Sequence, residues 1–168
     1  VFVSPIFVTR IEDSNGNVLG EFNNNKREAV SEYTAFLMAN LMQGVVNSGT
    51  GVRLRSVYGL KGEIAGKTGT TNNQSDGWFI GYTPSLTAGV WVGAEDRQVH
   101  FESLSLGGGS NMALPIWGLF MQKVLQDGTL GVYETDRFVK PMGIELNLNC
   151  DGSDADAVVT TSEEEEYF

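Results

Sequence analysis

The spacing of apolar and polar residues along the chain changes period several times, and each change predicts an element. Residues Ile6–Asp13 (IFVTRIED) and Asn17–Phe22 (NVLGEF) read as two strands. Ser14-Asn15-Gly16 between them supplies the Asn-Gly pair that accepts the left-handed backbone of a tight hairpin turn. Asn23–Asn25 breaks the pattern. From Val30 to Val46 the spacing becomes helical: Val30, Tyr33, Leu37, Leu41 and Val45 fall on one face, with Phe36 and Met42 beside it. Asn47-Ser48-Gly49 predicts the end of this helix, Gly49 being the residue a left-handed cap prefers. Residues 49–62 are rich in Gly and Arg and read as loop.

Three strands are predicted next, over Glu63–Thr70, Gly77–Thr83 and Leu86–Ala94. Pro84-Ser85 is short enough to make the last two antiparallel neighbours. Both of their faces are apolar, Trp78, Ile80 and Tyr82 alternating with Phe79, and Val90 and Val92 with Trp91. A sheet with two apolar faces must be covered on both sides. The helix over 30–46 is one cover. A second helix over Asn111–Gln126, with Ile116, Leu119, Phe120 and Val124 on one stripe, is the other. Ser110 or Asn111 is its expected cap, Pro115 is tolerable near its first turn, and Gly128 closes it. Trp78 and Trp91 are expected in the core. A short alternation at Ile144–Leu148 suggests an edge strand. The predicted fold class is α+β, an antiparallel sheet with helices on both faces.

Charge divides the chain. Residues 151–168 hold seven acids (Asp151, Asp154, Asp156 and Glu163–Glu166) without a Lys or Arg, and removing those seven from the formal −10 leaves −3 on residues 1–150. The expected organisation is one folded portion over 1–150 and an acidic, disordered tail over 151–168. No clustered cations are available for phosphates, which argues against a nucleic-acid partner. Cys150 and His100 are each the sole residue of their type, so neither an intrachain disulfide nor a Cys/His metal site is expected. No apolar run reaches the roughly 20 residues of a membrane helix.

One segment concentrates useful chemistry. Gly66-Lys67-Thr68-Gly69-Thr70-Thr71 offers a cation, three hydroxyls and flexible backbone within six residues. A phosphate-binding P-loop would need its first Gly where Lys61 stands, and a helix directly after the Lys-Thr pair. Gly62 is one residue too close, and Asn72–Ser75 is a polar turn leading into a strand. The alternative is the Lys-Thr-Gly strand of serine acyltransferases that act on penicillin and D-Ala-D-Ala, which edges an active site.

The flanks favour the second reading. Gly66–Thr71, Asp76-Gly77-Trp78-Phe79, Gly81-Tyr82-Thr83-Pro84 and Gly89-Val90-Trp91-Val92-Gly93 resemble the class A penicillin-binding proteins, the bifunctional peptidoglycan glycosyltransferase/transpeptidases. Gly107–Ser110 followed by Ala113-Leu114-Pro115-Ile116-Trp117 resembles the last helix of that transpeptidase domain. Upstream, Ile11-Glu12-Asp13 and Val46–Gly51 are similar to the same family, so the resemblance runs from about Pro5 to Gly152.

The resemblance implies roles. Lys67 would contact the hydroxyl of a Ser-x-Asn motif and keep the site electropositive. Thr68 and Thr70 would bind the carboxylate of the acyl-donor peptide or of a β-lactam, with Thr71 beside them. The backbone N–H of Thr70 would form half of an oxyanion hole, and Gly69 would give a ligand clearance. No cofactor is implied. The implied partners are peptidoglycan stem peptides and β-lactams, and the implied location is the outer face of the cytoplasmic membrane, reached through an N-terminal anchor outside this sequence.

Two motifs of the family do not occur here. No Ser stands three residues before a Lys, and Ser-x-Asn is absent, although both precede Lys-Thr-Gly in the family. The expectation is a C-terminal portion of a transpeptidase domain whose nucleophile lies on other sequence, and which is inactive alone, since losing a serine nucleophile costs on the order of 10⁶ in rate. The runner-up is a non-catalytic module that binds peptidoglycan peptides. A fragment of a serine β-lactamase or carboxypeptidase is a third reading, against which Gly81–Pro84 and Pro115–Trp117 argue.

Overall fold

The computed structural model describes residues 1–142. The predicted tail and the Ile144–Leu148 strand lie outside these residues. The N-terminal part forms two small antiparallel ladders: β1 (Phe2–Val3) with β4 (Lys26–Arg27), and β2 (Arg10–Glu12) with β3 (Val18–Glu21). The hairpin turn is where the Asn-Gly pair predicts it, and Gly16 adopts φ +83°. The Asp13 carboxylate closes the turn by accepting from the Asn15 and Asn17 backbone N–H groups, both at 2.8 Å. The Asn17 side-chain amide, donating to the carboxylate at 2.8 Å, and then these backbone donors hold Asp13 below the ordinary carboxylate range.

Helix α1 (Glu32–Asn47) begins at Ser31, whose hydroxyl accepts from Thr34 N–H at 3.2 Å. Its end differs from expectation. Gly49 is not left-handed; instead a Cβ there would sit 2.9 Å from Val45 Cα, so this glycine serves close approach. The loop predicted over 49–62 contains a short helix, α2 (Arg53–Ser56), which buries Leu54. Its four residues are too few for a periodic signal to show in the sequence.

The main sheet is antiparallel, with order β5 (Ala65–Thr70), β6 (Asp76–Tyr82), β7 (Thr87–Gly93). Its register places Thr70 opposite Gly77, Gly69 opposite Trp78, and Trp78 opposite Trp91. Helix α3 (Leu104–Gly107) leads into α4 (Gly109–Gln126), which lies across β6 and β7. Gly77, Phe79 and Gly81 point at α4. The two glycines have a packing reason, since a Cβ at Gly77 would strike Met112 and one at Gly81 would strike Trp117. Trp117 is fully buried, edge-on to Phe79 with ring centroids 5.2 Å apart, and donates its indole N–H to Ala88 O at 3.0 Å. Val46 of α1, Leu54 of α2, Leu114, Met121 and Val124 of α4, and Val132 complete this core.

Helices flank both faces, as predicted, but unequally. Tyr82 points away from α4 and shares a groove with Phe36 and Ala39 of α1. Helix α1 packs along β5 and stops short of the rest of the second face. Trp78, Ile80 and Trp91 therefore stay half-exposed, at 43%, 48% and 48%, where the sequence predicts core for the tryptophans. The predicted α1 stripe shifts for the same reason. Ala39 and Val46 are the buried positions, Leu41 faces outward, and Val30 lies exposed before the helix. Helix α4 also starts two residues before the predicted Asn111, capped by Gly108, so Pro115 falls in the second turn.

Candidate functional site

Strand β5 carries the Lys-Thr-Gly residues at one edge of the described sheet. Ala65 and Gly66 are buried at its start, and exposure grows toward Lys67 and Thr70. Gly66 is held to glycine because a Cβ would meet the Phe79 ring and the Ile80 carbonyl. The strand thus enters from the core and delivers its polar end to the surface.

Each polar side chain of that end has a distinct partner. Lys67 is exposed, and its ammonium donates to the Thr68 carbonyl at 2.8 Å. Among the described residues no carboxylate lies within ion-pair distance of it. The Thr68 hydroxyl meets that of Thr50, from the loop after α1, at 2.9 Å. The Thr70 hydroxyl accepts the Gly109 N–H at 3.0 Å. That N–H belongs to the first residue of α4, where backbone donors lack partners inside the helix and the helix dipole is positive. Among the described residues no acceptor takes the Thr70 hydroxyl proton, which leaves it for a ligand.

The close approach of α4 to β5 depends on small residues. A Cβ at Gly109 would overlap the carbonyl oxygens of Gly69 and Trp78. Arg53 ties the other side of the same helix start, donating to Ser110 O at 3.1 Å and to Asn111 Oδ1 at 2.8 Å. Sequence reasoning missed Arg53, Thr50 and Gly109 as parts of this assembly. Thr50 is 18 residues from Thr68, Gly109 is 39 from Thr70, and Arg53 is 57 and 58 from Ser110 and Asn111, so only tertiary packing unites them.

Thr71 is placed differently from Thr68 and Thr70. Its hydroxyl accepts the Asp76 N–H at 2.9 Å and lies 3.1 Å from Asp76 Oδ2 and 2.9 Å from Ser75 Oγ. It belongs to the turn between β5 and β6. Asp76 also accepts from the Trp91 indole N–H at 3.0 Å and from Ser75 Oγ at 3.0 Å. The Trp91 donor, then Ser75, Thr71 and the nearby Arg97, hold its carboxyl below the ordinary value. Thr71 N–H donates inward to Asp76 O at 3.1 Å. Successive N–H groups of an extended strand point to opposite sides, so the Thr70 N–H faces the outer edge. Among the described residues no group of three His, Cys, Asp or Glu side chains is arranged to hold a metal ion, and no helix is long and apolar enough to cross a membrane.

Comparison with known proteins identifies the family of the chain. Residues 1–103 match the family described as penicillin binding protein transpeptidase domain. Penicillin-binding protein 1A of Aquifex aeolicus is 35% identical over 146 residues, covering 86% of this chain and 19% of that protein. Penicillin-binding protein 2D of Bacillus subtilis is 35% identical over 147 residues, covering 84% of this chain and 20% of that protein. The chain therefore spans about a fifth of the length of these relatives. The crystal structure of penicillin-binding protein 1A from Haemophilus influenzae superposes with a TM-score of 0.59 over 75% of this chain and 24% of that chain, at 22% identity, a likeness of fold. The sequence matches carry the assignment further than fold: this chain belongs to the penicillin-binding protein transpeptidase domain family.

Proposed function

We propose that this chain is the C-terminal portion of a peptidoglycan D,D-transpeptidase and supplies the substrate strand of its active site. The observation that carries the reading is the Thr70 arrangement. Gly109 at the N-terminus of α4 occupies the acceptor side of the hydroxyl, leaving its proton and the outward Thr70 N–H at one strand edge beside the exposed Lys67. A substrate with a terminal carboxylate and a scissile carbonyl needs this set: a cation and a hydroxyl for the carboxylate, and a backbone N–H for the oxyanion. Thr68 supplies a second hydroxyl, and Gly69 lets the ligand lie against the backbone. Thr71 contributes by fixing the strand end, while Lys67, Thr68 and Thr70 face the ligand.

The reaction is acyl transfer. A serine outside these residues attacks the D-Ala-D-Ala amide, the terminal D-Ala leaves, and the amine of a second stem peptide takes the acyl group from the serine. The half-exposed Trp78, Ile80 and Trp91 then form a face for the remainder of the same domain, which carries that serine. The full-length protein acts at the cell envelope, and the 168 residues alone are inactive. Incubation with a fluorescent penicillin followed by intact-mass measurement tests this. The full-length protein should gain one adduct on a serine upstream of this chain, and the isolated chain none. Label on a serine of the isolated chain would refute the assignment of roles. A full-length protein that binds stem peptides without ever forming an adduct would favour a non-catalytic binding module.

A further inference from the structure

We infer that Asp76 is a positioning residue for the acyl-transfer site, one that fixes the Thr70–Thr71 end of the substrate strand from the far side of its turn. The inference rests on the function proposed above. Asp76 opens β6 directly across the turn from the end of β5. The turn between them contains Asn73 at φ 60° and Gln74 at φ 52°, two consecutive left-handed residues, neither of them glycine. Such a backbone is unfavourable and persists only where its surroundings over-determine it.

Asp76 provides that determination through both ends of the residue. Its N–H donates to Thr71 Oγ1 and its carbonyl accepts the Thr71 N–H, pinning backbone and side chain of Thr71 together. One carboxylate oxygen accepts from Ser75 and Thr71 and the other from Trp91 on β7, so the turn is tied to the third strand of the sheet. Arg97 lies 3.9 Å from the carboxylate on the solvent side. The Asp76 side chain is 17% exposed, Ser75 is buried, and the carboxylate's hydrogen-bond partners are Ser75, Thr71 and Trp91. Asp76 therefore acts through Thr71, whose neighbour Thr70 presents the outward N–H and hydroxyl. A shift of the Thr71 anchor moves the Thr70 N–H and hydroxyl together, while Lys67 and Thr68, held by their own partners, keep most of the carboxylate site in place.

The test is penicillin acylation of the full-length protein proposed above, resolved into the first-order acylation constant and the penicillin concentration at half saturation. Asp76→Ala should lower the acylation constant about tenfold or more and change half saturation by less than about threefold, a misplacement effect of the size expected when a preorganised donor is displaced. Asp76→Asn should recover most of the rate, since its amide keeps one acceptor for Trp91 and the Ser75 and Thr71 hydroxyls can turn to accept from its NH₂. If Asp76→Ala does not fold, Asp76→Asn carries the test, with a two- to fivefold decrease expected. Wild-type rates in the folded variants, or a loss seen equally in half saturation and rate, overturn this inference alone. A wild-type protein that never takes the label overturns the function on which it rests.

Discussion

The junction of α4 with β5 can be probed by a single methyl group. Gly109→Ala places a Cβ against the carbonyl oxygens of Gly69 and Trp78. Both belong to paired strands of the main sheet, so neither can yield without disturbing a ladder. Over-packing of this kind costs about 1–3 kcal/mol. Lifting the helix start also lengthens the 3.0 Å Gly109–Thr70 hydrogen bond, whose loss costs about 0.5–1.5 kcal/mol. The lower entropy of the unfolded Ala chain returns about 0.4–1 kcal/mol. The net is a destabilisation of roughly 2 kcal/mol, equivalent to a fall in melting temperature of roughly 4–8 °C for a domain of this size. Urea denaturation followed by tryptophan fluorescence reads it directly. Gly128→Ala is the control, because a Cβ there meets nothing within 4 Å and its φ is not left-handed. A Gly109→Ala midpoint indistinguishable from that of Gly128→Ala would refute the seating of α4 on the Gly69 and Trp78 carbonyls.

Three further outcomes are expected. Trp117→Ala empties the centre of the core and removes the donor to Ala88, and should cost about 3–5 kcal/mol, measured as a large fall in urea midpoint or loss of the folded baseline. Acrylamide should quench the Trp78 and Trp91 emission of the isolated chain strongly and that of Trp117 weakly, and uniform quenching of the three would contradict the open second face. Asp76 and Asp136 both titrate below their ordinary 3.8, held there chiefly by the Trp91 and Ser85 donors respectively. A depressed folded pKa adds stability that is fully present above the unfolded value and lost as pH falls through the folded one. Thermal stability should therefore be level near neutrality and fall below about pH 4, with a shallower acid loss in the Asp76→Asn and Asp136→Asn variants.

Local pattern alone determined a good deal of this protein. The Asn15-Gly16 turn, helix α1, the three strands β5 to β7 and the existence of helix α4 are each legible because hydrophobic period and turn chemistry act over a few residues. Of the predicted α4 stripe, however, only Val124 is buried, while Ile116, Leu119 and Phe120 are exposed. The family was legible for a different reason, from a short motif with flanks dense enough to indicate it. Other features were decided only by the tertiary structure. Whether an apolar strand face is core depends on what else reaches it, and α1 follows β5 without covering Trp78 and Trp91. Gly66 and Gly109 are held to glycine by a backbone or ring atom brought close from another element, which no local pattern shows. The same holds for the site. The three threonine hydroxyls look equivalent along the chain, and only packing separates them: Thr68 meets Thr50, Thr70 receives the helix N-terminus, and Thr71 turns to Asp76. Strand alternation sends neighbouring side chains to opposite faces, and which partner waits on each face is a property of the whole fold.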